Sequence, residues 1–397
     1  MTMLTPAALP TLQAALGEAG LDGWLLYDFR GLNPVATALT GFEGMATRRF
    51  FAWIPSHGTP VAITHAIEQG PWKHWPASWT RVIYSAWGEM ESALATLVRG
   101  KRIAMEYSPG DAVPVVDRVP AGILDLVRAS GATVETSAEL VTRFFALWSP
   151  AQIASHERNA EMLRTIALAA FDRIGTAART GTPLHEHEVA AWIRERFAAE
   201  GLVVDHGPIV AATENAANPH YEPSAEHPRA FREGDVVLID LFATSTEPGA
   251  MWADQTWMAH IGTPTARALE VWGAVRDARD AAIARLQERL ASGAPVVGGE
   301  ADDAARAVIT ARGFGPAFTH RTGHSIDARG LHGMGPNIDN LETRETRRLL
   351  PCVGFSIEPG IYLTGEIGMR SEVNAYLTAE GALVVTPREI QRDLFVV

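Results

Sequence analysis

Acidic residues inside apolar strand segments are the feature that most restricts how this chain can fold. Asp240 follows the apolar run 236–239 and precedes Leu241 and Phe242, and Asp254 lies beside apolar residues of the next segment. An ionised carboxylate buried in an apolar strand is unstable unless an opposite charge or a metal ion accompanies it. The fold must therefore bring further polar groups to both aspartates.

Composition limits the classes of protein to which the chain can belong. Its 397 residues exceed what one compact core supports, which favours two or three domains. A formal net charge of −12 argues against a nucleic-acid or anionic-membrane partner, and no apolar run is as long as a membrane span. The N-terminal segment lacks the basic stretch of a signal peptide, and the lone Cys352 excludes an intrachain disulfide. These features predict a cytoplasmic protein.

The first half of the chain alternates short apolar segments with helical patterns, which predicts a small α/β domain. The predicted elements are strands at 22–29, 81–87, 101–107 and 132–137, a hairpin at 50–65 and a helix at 121–131. A boundary follows, where Ser149 is a good N-cap, Pro150 suits the first helical position and Gln152 completes a capping box. We therefore predict domains over 1–148 and 149–397.

The second domain is predicted to combine long helices with strands that contain polar residues. Helices are predicted at 149–174, 182–201 and 264–291, with a fourth that ends before Gly313. Strands are predicted at 203–211, 235–243, 254–261, 353–363, 368–377 and 382–386. This pattern indicates an α/β or α+β domain.

A set of five ionisable residues lies within or beside these strands. Each has an ordinary structural explanation, such as a strand-end cap, a solvated face or a histidine satisfied in the core. Together, four carboxylates and one imidazole form the oxygen-rich set that suits a pair of divalent ions, with two carboxylates bridging them. The set is Asp240, Asp254, His324, Glu358 and Glu372.

Further polar residues accompany this set. Arg370 and Glu372 are two positions apart in a predicted strand, so we expect both side chains on one face, with Arg370 holding the Glu372 carboxylate. His220, His320 and His332 lie in two other segments that concentrate histidines. Neutral imidazoles near metal ions can donate to a developing oxyanion or transfer protons.

The segments HRTGH, SIEPGIY and GMRSE, preceded by the two aspartates, resemble the pita-bread metallopeptidases. That family includes prolidases, aminopeptidase P, methionine aminopeptidases and the metal-free creatinases. The resemblance implies an α/β (α+β) chain with a creatinase-like N-terminal α/β domain. It also implies a C-terminal pita-bread domain with a curved, mostly antiparallel sheet flanked by helices, and a homodimer. The complete ligand set argues against a creatinase, and the large N-terminal domain favours the proline-specific branch.

The resemblance assigns a role to each member of the acidic set. Asp240 would chelate one ion, and His324 and Glu358 would bind the other. Asp254 and Glu372 would bridge both ions. A hydroxide held between the ions would attack the peptide carbonyl, and Glu358 would also transfer protons. Mn²⁺ suits the carboxylate-rich set, with Zn²⁺ or Co²⁺ as alternatives.

Catalytic and substrate-binding roles follow for the remaining residues. By the resemblance, His220 and His332 would stabilise the tetrahedral intermediate, and His320 would line the proline side of the site. Arg370 is included with the catalytic residues. For the free carboxylate of a dipeptide we predict Arg329, because a guanidinium pairs with a carboxylate through two hydrogen bonds; Arg321 is the second candidate.

These residues predict an Xaa-Pro dipeptidase (prolidase), which hydrolyses the peptide bond before proline in dipeptides. Two alternatives stay open. One is aminopeptidase P, which removes the N-terminal residue before proline from longer peptides. The other is a weakly active, metal-bound relative that binds a proline-containing peptide.

The second alternative is motivated by departures from the family pattern. His206, Met251 and Trp257 stand where relatives often carry a tyrosine, a tyrosine and an arginine. The connection TSTEPGA between the two aspartates is also longer than usual. We predict that it reshapes the rim of the site.

Overall fold

The computed structural model describes residues 3–44 and 47–397. The chain divides into two compact units, one ending at Val141 and the other comprising Thr142–Val397. The domain limits 1–148 and 149–397 stay a prediction. Among the described residues the first unit has one sheet and the second has three, and each unit has its own apolar core.

The first unit is built around a strand that is buried along its whole length. This strand, β1 (Gly23–Asp28), pairs antiparallel with β2 (Phe50–Pro55) and parallel with β5 (Arg102–Met105). The other helices and strands are α1 (Leu9–Glu18), α2 (Pro34–Thr40), β3 (Val61–His65), β4 (Thr80–Tyr84), α3 (Trp87–Val98), α4 (Ala121–Ala129) and β6 (Thr133–Thr136). A further helix, α5 (Ala138–Phe145), includes the boundary at Val141. Among the described residues the sheet has the order β4-β3-β2-β1-β5-β6. The mixed α/β architecture predicted for this half is confirmed.

The second unit begins with the helix that the capping box predicts. Ser149 Oγ accepts from the Gln152 N–H, and Gln152 Oε1 accepts from the Ser149 N–H. The helices of this unit are α6 (Pro150–Thr180), α7 (Glu186–Ala199), α8 (Ala266–Ala291) and α9 (Gly298–Ala311). In the described part of the chain, no helix combines the length and the apolar composition needed to cross a bilayer.

The strands of the second unit pair mainly antiparallel. They are β7 (Leu202–Val203), β8 (Ile209–Ala212), β9 (Val236–Ser245), β10 (Ala253–His260), β11 (Gly354–Ile357), β12 (Gly360–Leu363), β13 (Ile367–Arg370), β14 (Val373–Leu377), β15 (Leu383–Thr386) and β16 (Phe395–Val396). Strands β7, β8 and β10 all pair antiparallel with β9, and β14 lies between β11 and β15. This mixed α/β arrangement confirms the predicted fold class.

Strand β9 separates two apolar layers because its side chains alternate. Val237 and Ile239 pack in a core with residues of α6 and α7, whereas Val236 and Leu238 pack in a core with residues of α8 and α9. Asp240 belongs to the second face by the same alternation. The site therefore begins where a carboxylate interrupts that apolar face.

Three predicted strands are each divided in two, and two of them break at an acidic residue of the predicted set. The segment 353–363 divides into β11 and β12 at Glu358 and Pro359, because proline has no N–H to donate to a strand partner. The segment 368–377 divides into β13 and β14 before Glu372. The segment 203–211 divides into β7 and β8.

Candidate metal centre

The hairpin β9–β10 places the two aspartates on one face. Asp240 lies opposite Thr256, and Asp254 lies opposite Phe242. Because side chains of a strand alternate between faces, Asp254 and Thr256 project on the same side as Asp240. Both aspartates are almost fully buried, with exposures of 6% and 5%.

The connection between the two strands does not have the predicted effect. Residues 246–252 do not line the cavity that contains the aspartates. Instead, the Met251 carbonyl accepts from Asn159 Nδ2, and Glu247 pairs with Arg158 at 2.9 Å, both partners lying on α6. The prediction that this connection reshapes the rim is wrong, because its residues pack on the helix.

A close backbone approach brings His324 beside β11. The His324 N–H donates to Ser356 Oγ at 2.9 Å, and the Ser356 N–H donates to the His324 carbonyl at 2.8 Å. Gly323 is required here, because a Cβ at this position would lie 2.0 Å from the Ser356 carbonyl oxygen. The histidine is thereby held at the buried end of the site.

Three of the five predicted ligands form a compact group. Ligand atoms of Asp254, His324 and Glu372 lie within 4.8 Å of one another. His324 Nε2 is 3.3 Å from Asp254 Oδ2 and 3.6 Å from Glu358 Oε1. Asp240 and Glu358 line the same cavity but lie outside this group.

Unsatisfied carboxylate oxygens show that this group suits metal ions. Asp240 Oδ1, Asp254 Oδ1 and Glu372 Oε1 are buried and have no hydrogen-bond partner among the described residues. Buried polar atoms are almost always paired, so these oxygens are suited to a metal ion that would supply the missing partner. A set of carboxylates with one imidazole matches the ligands that divalent ions prefer.

The crowding of acids also changes their ionisation. Burial, together with the Asp254 and Glu358 carboxylates, raises the pKa of Glu372 well above its ordinary range. Burial raises the pKa of Asp240 to about 7, although the Arg370 guanidinium opposes this change. Divalent ions at this position would supply the charge that keeps these groups ionised.

Arg370 contacts Asp240 more closely than Glu372, the carboxylate that was predicted as its partner. Its Nη2 donates to Asp240 Oδ2 at 2.5 Å, whereas its Nε is 3.9 Å from Glu372 Oε2. Its other N–H groups donate to Thr256 Oγ1 at 2.9 Å and Tyr362 Oη at 3.1 Å. The strand ends at Arg370, yet both side chains line the cavity, so the predicted contact with Glu372 is present as a longer ion pair. Arg370 therefore fixes the orientation of Asp240.

A cavity of about 720 Å³ opens above the carboxylates. His220 and His332 both line it, as does Glu358, whose side chain is 15% exposed. The His332 ring lies 4.2 Å from the His324 ring, centroid to centroid. Burial, with the positive charge of His324 and Arg321, lowers the pKa of His332 to about 4. His332 is therefore a neutral hydrogen-bonding group at neutral pH.

His320 and Arg329 lie outside the residues that line this cavity. His320 Nε2 is hydrogen-bonded to Tyr362 Oη at 2.8 Å, and Nδ1 to the Arg321 carbonyl at 2.7 Å. Arg329 is exposed, and its guanidinium lies over the Phe145 ring at 4.7 Å. Arg321 also lies outside the lining. The substrate-binding roles of His320 and Arg329 stay predictions from the sequence.

Of the three residues that depart from the family pattern, two lie in apolar cores and one lines the cavity. Trp257 packs in the core beside α6 and α7, with its ring 6.0 Å from Phe395, and Met251 is fully buried in a separate apolar cluster. His206 instead lines the cavity, where its Nδ1 is 2.6 Å from Asp205 Oδ1. Only the change at His206 therefore alters the lining.

Other lining residues carry no signal in the sequence. Arg194 belongs to a helical pattern with several charged residues, and Tyr221 and Phe242 are aromatic residues without a motif. Their presence in the cavity depends on how α7 and the segment 213–223 pack against β9.

Comparison with known proteins gives the family. The model of metallopeptidase family M24 matches residues 160–379, more than half of the chain and the whole region of the carboxylates. The chain belongs to metallopeptidase family M24. It is therefore a hydrolase of a family that implies divalent metal ions, and the buried group of Asp254, His324 and Glu372 is consistent with them.

Individual relatives extend this likeness. The probable dipeptidase PepE of Mycobacterium tuberculosis is 29% identical over 391 residues, covering 95% of this chain and 93% of the relative. The Xaa-Pro dipeptidase of Lactobacillus delbrueckii subsp. lactis is 36% identical over 173 residues, covering 44% of this chain and 42% of the relative. The crystal structure of dipeptidase PepE from Mycobacterium ulcerans covers 98% of this chain and 96% of its own, with a TM-score of 0.70 and 24% identity. The last comparison shows the fold.

Proposed function

We propose that this protein is an Xaa-Pro dipeptidase that uses two divalent ions. The observation that carries the proposal is the convergence of all five predicted ligands in one cavity, with His220 and His332 on its walls. Similarity to proteins named dipeptidase over nearly the whole chain, and to an Xaa-Pro dipeptidase over 173 residues, supports the substrate class.

The metal ions would be held by the buried acids and His324. Asp254 and Glu372 are the candidates for shared ligands, because each contributes an oxygen to the compact group with His324 and each has a buried oxygen without a partner among the described residues. Asp240 and Glu358 would complete the two coordination sets. When bound, such ions polarise the peptide carbonyl and lower the pKa of water enough to supply a nucleophile near neutral pH. The carboxylate-rich set favours Mn²⁺, with Zn²⁺ or Co²⁺ as alternatives.

The side chains around the acids supply the proton transfers and the hydrogen bonds. Glu358 accepts from Ser356 Oγ at 3.1 Å and reaches the cavity, so it can take a proton from the attacking water and give it to the leaving amine. His332 and His220 can donate to the oxyanion that develops on the substrate carbonyl. Arg370 keeps the Asp240 carboxylate in one orientation. The cytoplasmic location and the homodimer stay predictions.

The substrate is tested by offering Ala-Pro and Gly-Pro-Ala side by side to the protein with added Mn²⁺. We expect hydrolysis of Ala-Pro alone. Release of glycine from Gly-Pro-Ala would instead identify an aminopeptidase P. Binding of a proline-containing peptide without turnover of any Xaa-Pro dipeptide would support the weakly active alternative.

The ligand roles are tested with Asp254→Asn. Because Asp254 contributes to the compact group, we expect this variant to lose bound metal and to lose activity by more than the about 10- to 100-fold typical of removing an outer hydrogen-bond partner. Metal content is measured by elemental analysis. The matched control is Glu247→Gln, which removes a carboxylate from the same hairpin outside the cavity. Full activity of a metal-stripped wild-type protein would overturn the proposed mechanism.

A further inference from the structure

Arg194 is an exposed residue of α7 whose side chain lines the same cavity as the buried acids. Its Nη1 donates to the Gly207 carbonyl at 3.1 Å, which holds the guanidinium against the cavity wall. Among the described residues it has no acidic partner. Its other N–H groups are therefore available to a ligand.

Arg370, the other arginine of the cavity lining, is held by partners within the protein. Arg370 is buried, and its N–H groups already donate to Asp240, Thr256 and Tyr362. It has a structural partner on each side and is not presented to a ligand. Arg194 is thus the arginine of the lining that can meet a substrate.

The negative charge of the cavity makes a positive side chain at its wall important for binding an acidic substrate. The floor carries four carboxylates, and Glu222 and Asp205 also belong to the lining. A small substrate with its own carboxylate needs a positive group at the wall, away from this floor. A guanidinium is suited to this, because it pairs with a carboxylate through two parallel hydrogen bonds.

We propose that Arg194 binds the free C-terminal carboxylate of a dipeptide substrate and so selects dipeptides over longer peptides. The inference rests on the proposed function, since it assumes that the cavity takes a dipeptide. In a longer peptide the position of this carboxylate is occupied by a neutral peptide group, which cannot form a charged pair with Arg194. Arg194 is thereby an alternative to Arg329, which was predicted for the same carboxylate and lies outside the lining.

The test compares Arg194→Gln with wild type on Ala-Pro and on Ala-Pro amide, which lacks the carboxylate. We expect wild type to prefer the acid, and Arg194→Gln to lower the acid-to-amide ratio of kcat/KM by about 10- to 100-fold, mainly through KM. The control is Arg196→Gln on the same helix, because Arg196 pairs with Glu200 at 2.8 Å and lies outside the lining. We expect this control to keep the wild-type ratio. An equal loss on acid and amide in Arg194→Gln would overturn the proposal.

A binding measurement separates this inference from the proposed function. Analogues of Ala-Pro and of its amide with a reduced, uncleavable bond before proline are titrated calorimetrically into metal-loaded wild type, Arg194→Gln and Arg196→Gln, so no turnover is needed. Preference for the acid in wild type and Arg196→Gln, but not in Arg194→Gln, supports the inference even if the protein hydrolyses no Xaa-Pro dipeptide. Absence of that preference in wild type overturns the inference even if Ala-Pro is hydrolysed.

Discussion

Glu106 directly follows β5 in the first unit, and its carboxyl group is fully buried. It accepts from Trp24 Nε1 at 2.5 Å, from Asn33 Nδ2 at 2.7 Å and from Ser137 Oγ at 3.3 Å. Burial outweighs these hydrogen bonds and raises the pKa of Glu106 to about 7. One residue thus links β1, the N-cap of α2 and the segment before α5.

Glu106 is expected to make stability depend on pH. Its pKa is higher in the folded chain than in the unfolded one, so its contribution is greatest below about pH 4.5 and is lost as the pH rises to about 7. At about 1.4 kcal/mol for each pH unit, the loss is about 3 kcal/mol. The difference in the free energy of unfolding between wild type and Glu106→Gln should therefore shrink by this amount from pH 4.5 to 7.5. Chemical unfolding measures it, and a difference that stays constant would contradict the prediction.

Residue types were predictable from the sequence, whereas their partners were not. Asp240 and Asp254 stand out because a carboxylate in an apolar strand needs a counter-charge wherever the strand packs. The partner of Arg370 was assigned by sequence distance to Glu372, but Arg370 donates to Asp240, 130 positions away. Proximity along the chain predicted the 3.9 Å contact with Glu372, but it could not predict the hydrogen bond to Asp240 on another strand.

At the scale of elements, α7 anchors the segment that carries His220. Glu186, at the start of α7, is buried and accepts from the Ala212 N–H at 2.6 Å and from Tyr221 Oη at 2.6 Å. Asn215 Nδ2 donates to both of its carboxylate oxygens. The glutamate thus fixes both ends of the segment 212–221.

Glu186→Gln is expected to disturb the position of His220 without removing a metal ligand. A glutamine has one acceptor oxygen and cannot accept from all three donors. We expect kcat to fall by about 10- to 100-fold while the metal content is unchanged, because small misplacements of catalytic groups are costly. Kinetics with Ala-Pro and elemental analysis measure both. The matched control is Glu188→Gln, which removes an exposed carboxylate of the same helix that contacts His185. Equal rates in the two variants would show that the anchor is not needed for catalysis.

At the scale of the whole molecule, the two units contain buried groups that respond to pH in opposite directions. His156, on α6 of the second unit, is hydrogen-bonded to the Trp252 carbonyl and to Thr386 Oγ1, each at 2.8 Å. Burial lowers its pKa to about 4, although Glu157 opposes this change. The histidine therefore stabilises the fold above about pH 6.5, and this contribution is lost as the pH falls towards 4.

Glu106 and His156 are expected to change the free energy of unfolding with pH in opposite directions, so one experiment can test both units. From pH 7.5 to 5, the stability difference between wild type and Glu106→Gln should grow, whereas that between wild type and His156→Gln should shrink. Each change is of the order of 2–3 kcal/mol. Hydrogen exchange, corrected for its intrinsic pH dependence and read from peptides of each unit, measures both differences. If both stability differences changed with pH in the same direction, the predicted pH dependence of Glu106 or of His156 would be wrong.

The sequence by itself determined which residue types and which local elements are available to this protein. The acids in apolar segments, the capping box at Ser149 and the alternation of strands are local properties, because they depend on neighbouring residues and on the geometry of one element. They were sufficient to predict the α/β fold class, whereas the metallopeptidase family was predicted from the resemblance of the segments HRTGH, SIEPGIY and GMRSE; both predictions are confirmed.

Only the tertiary structure decided which side chains meet in the cavity. Arg194 and Arg329 are both exposed arginines in ordinary sequence contexts, yet only Arg194 lines the cavity. The connection 246–252 lies between two site residues in the chain and still packs on α6, away from the carboxylates. Such outcomes depend on how helices and strands distant in the chain pack against one another, which no local pattern contains.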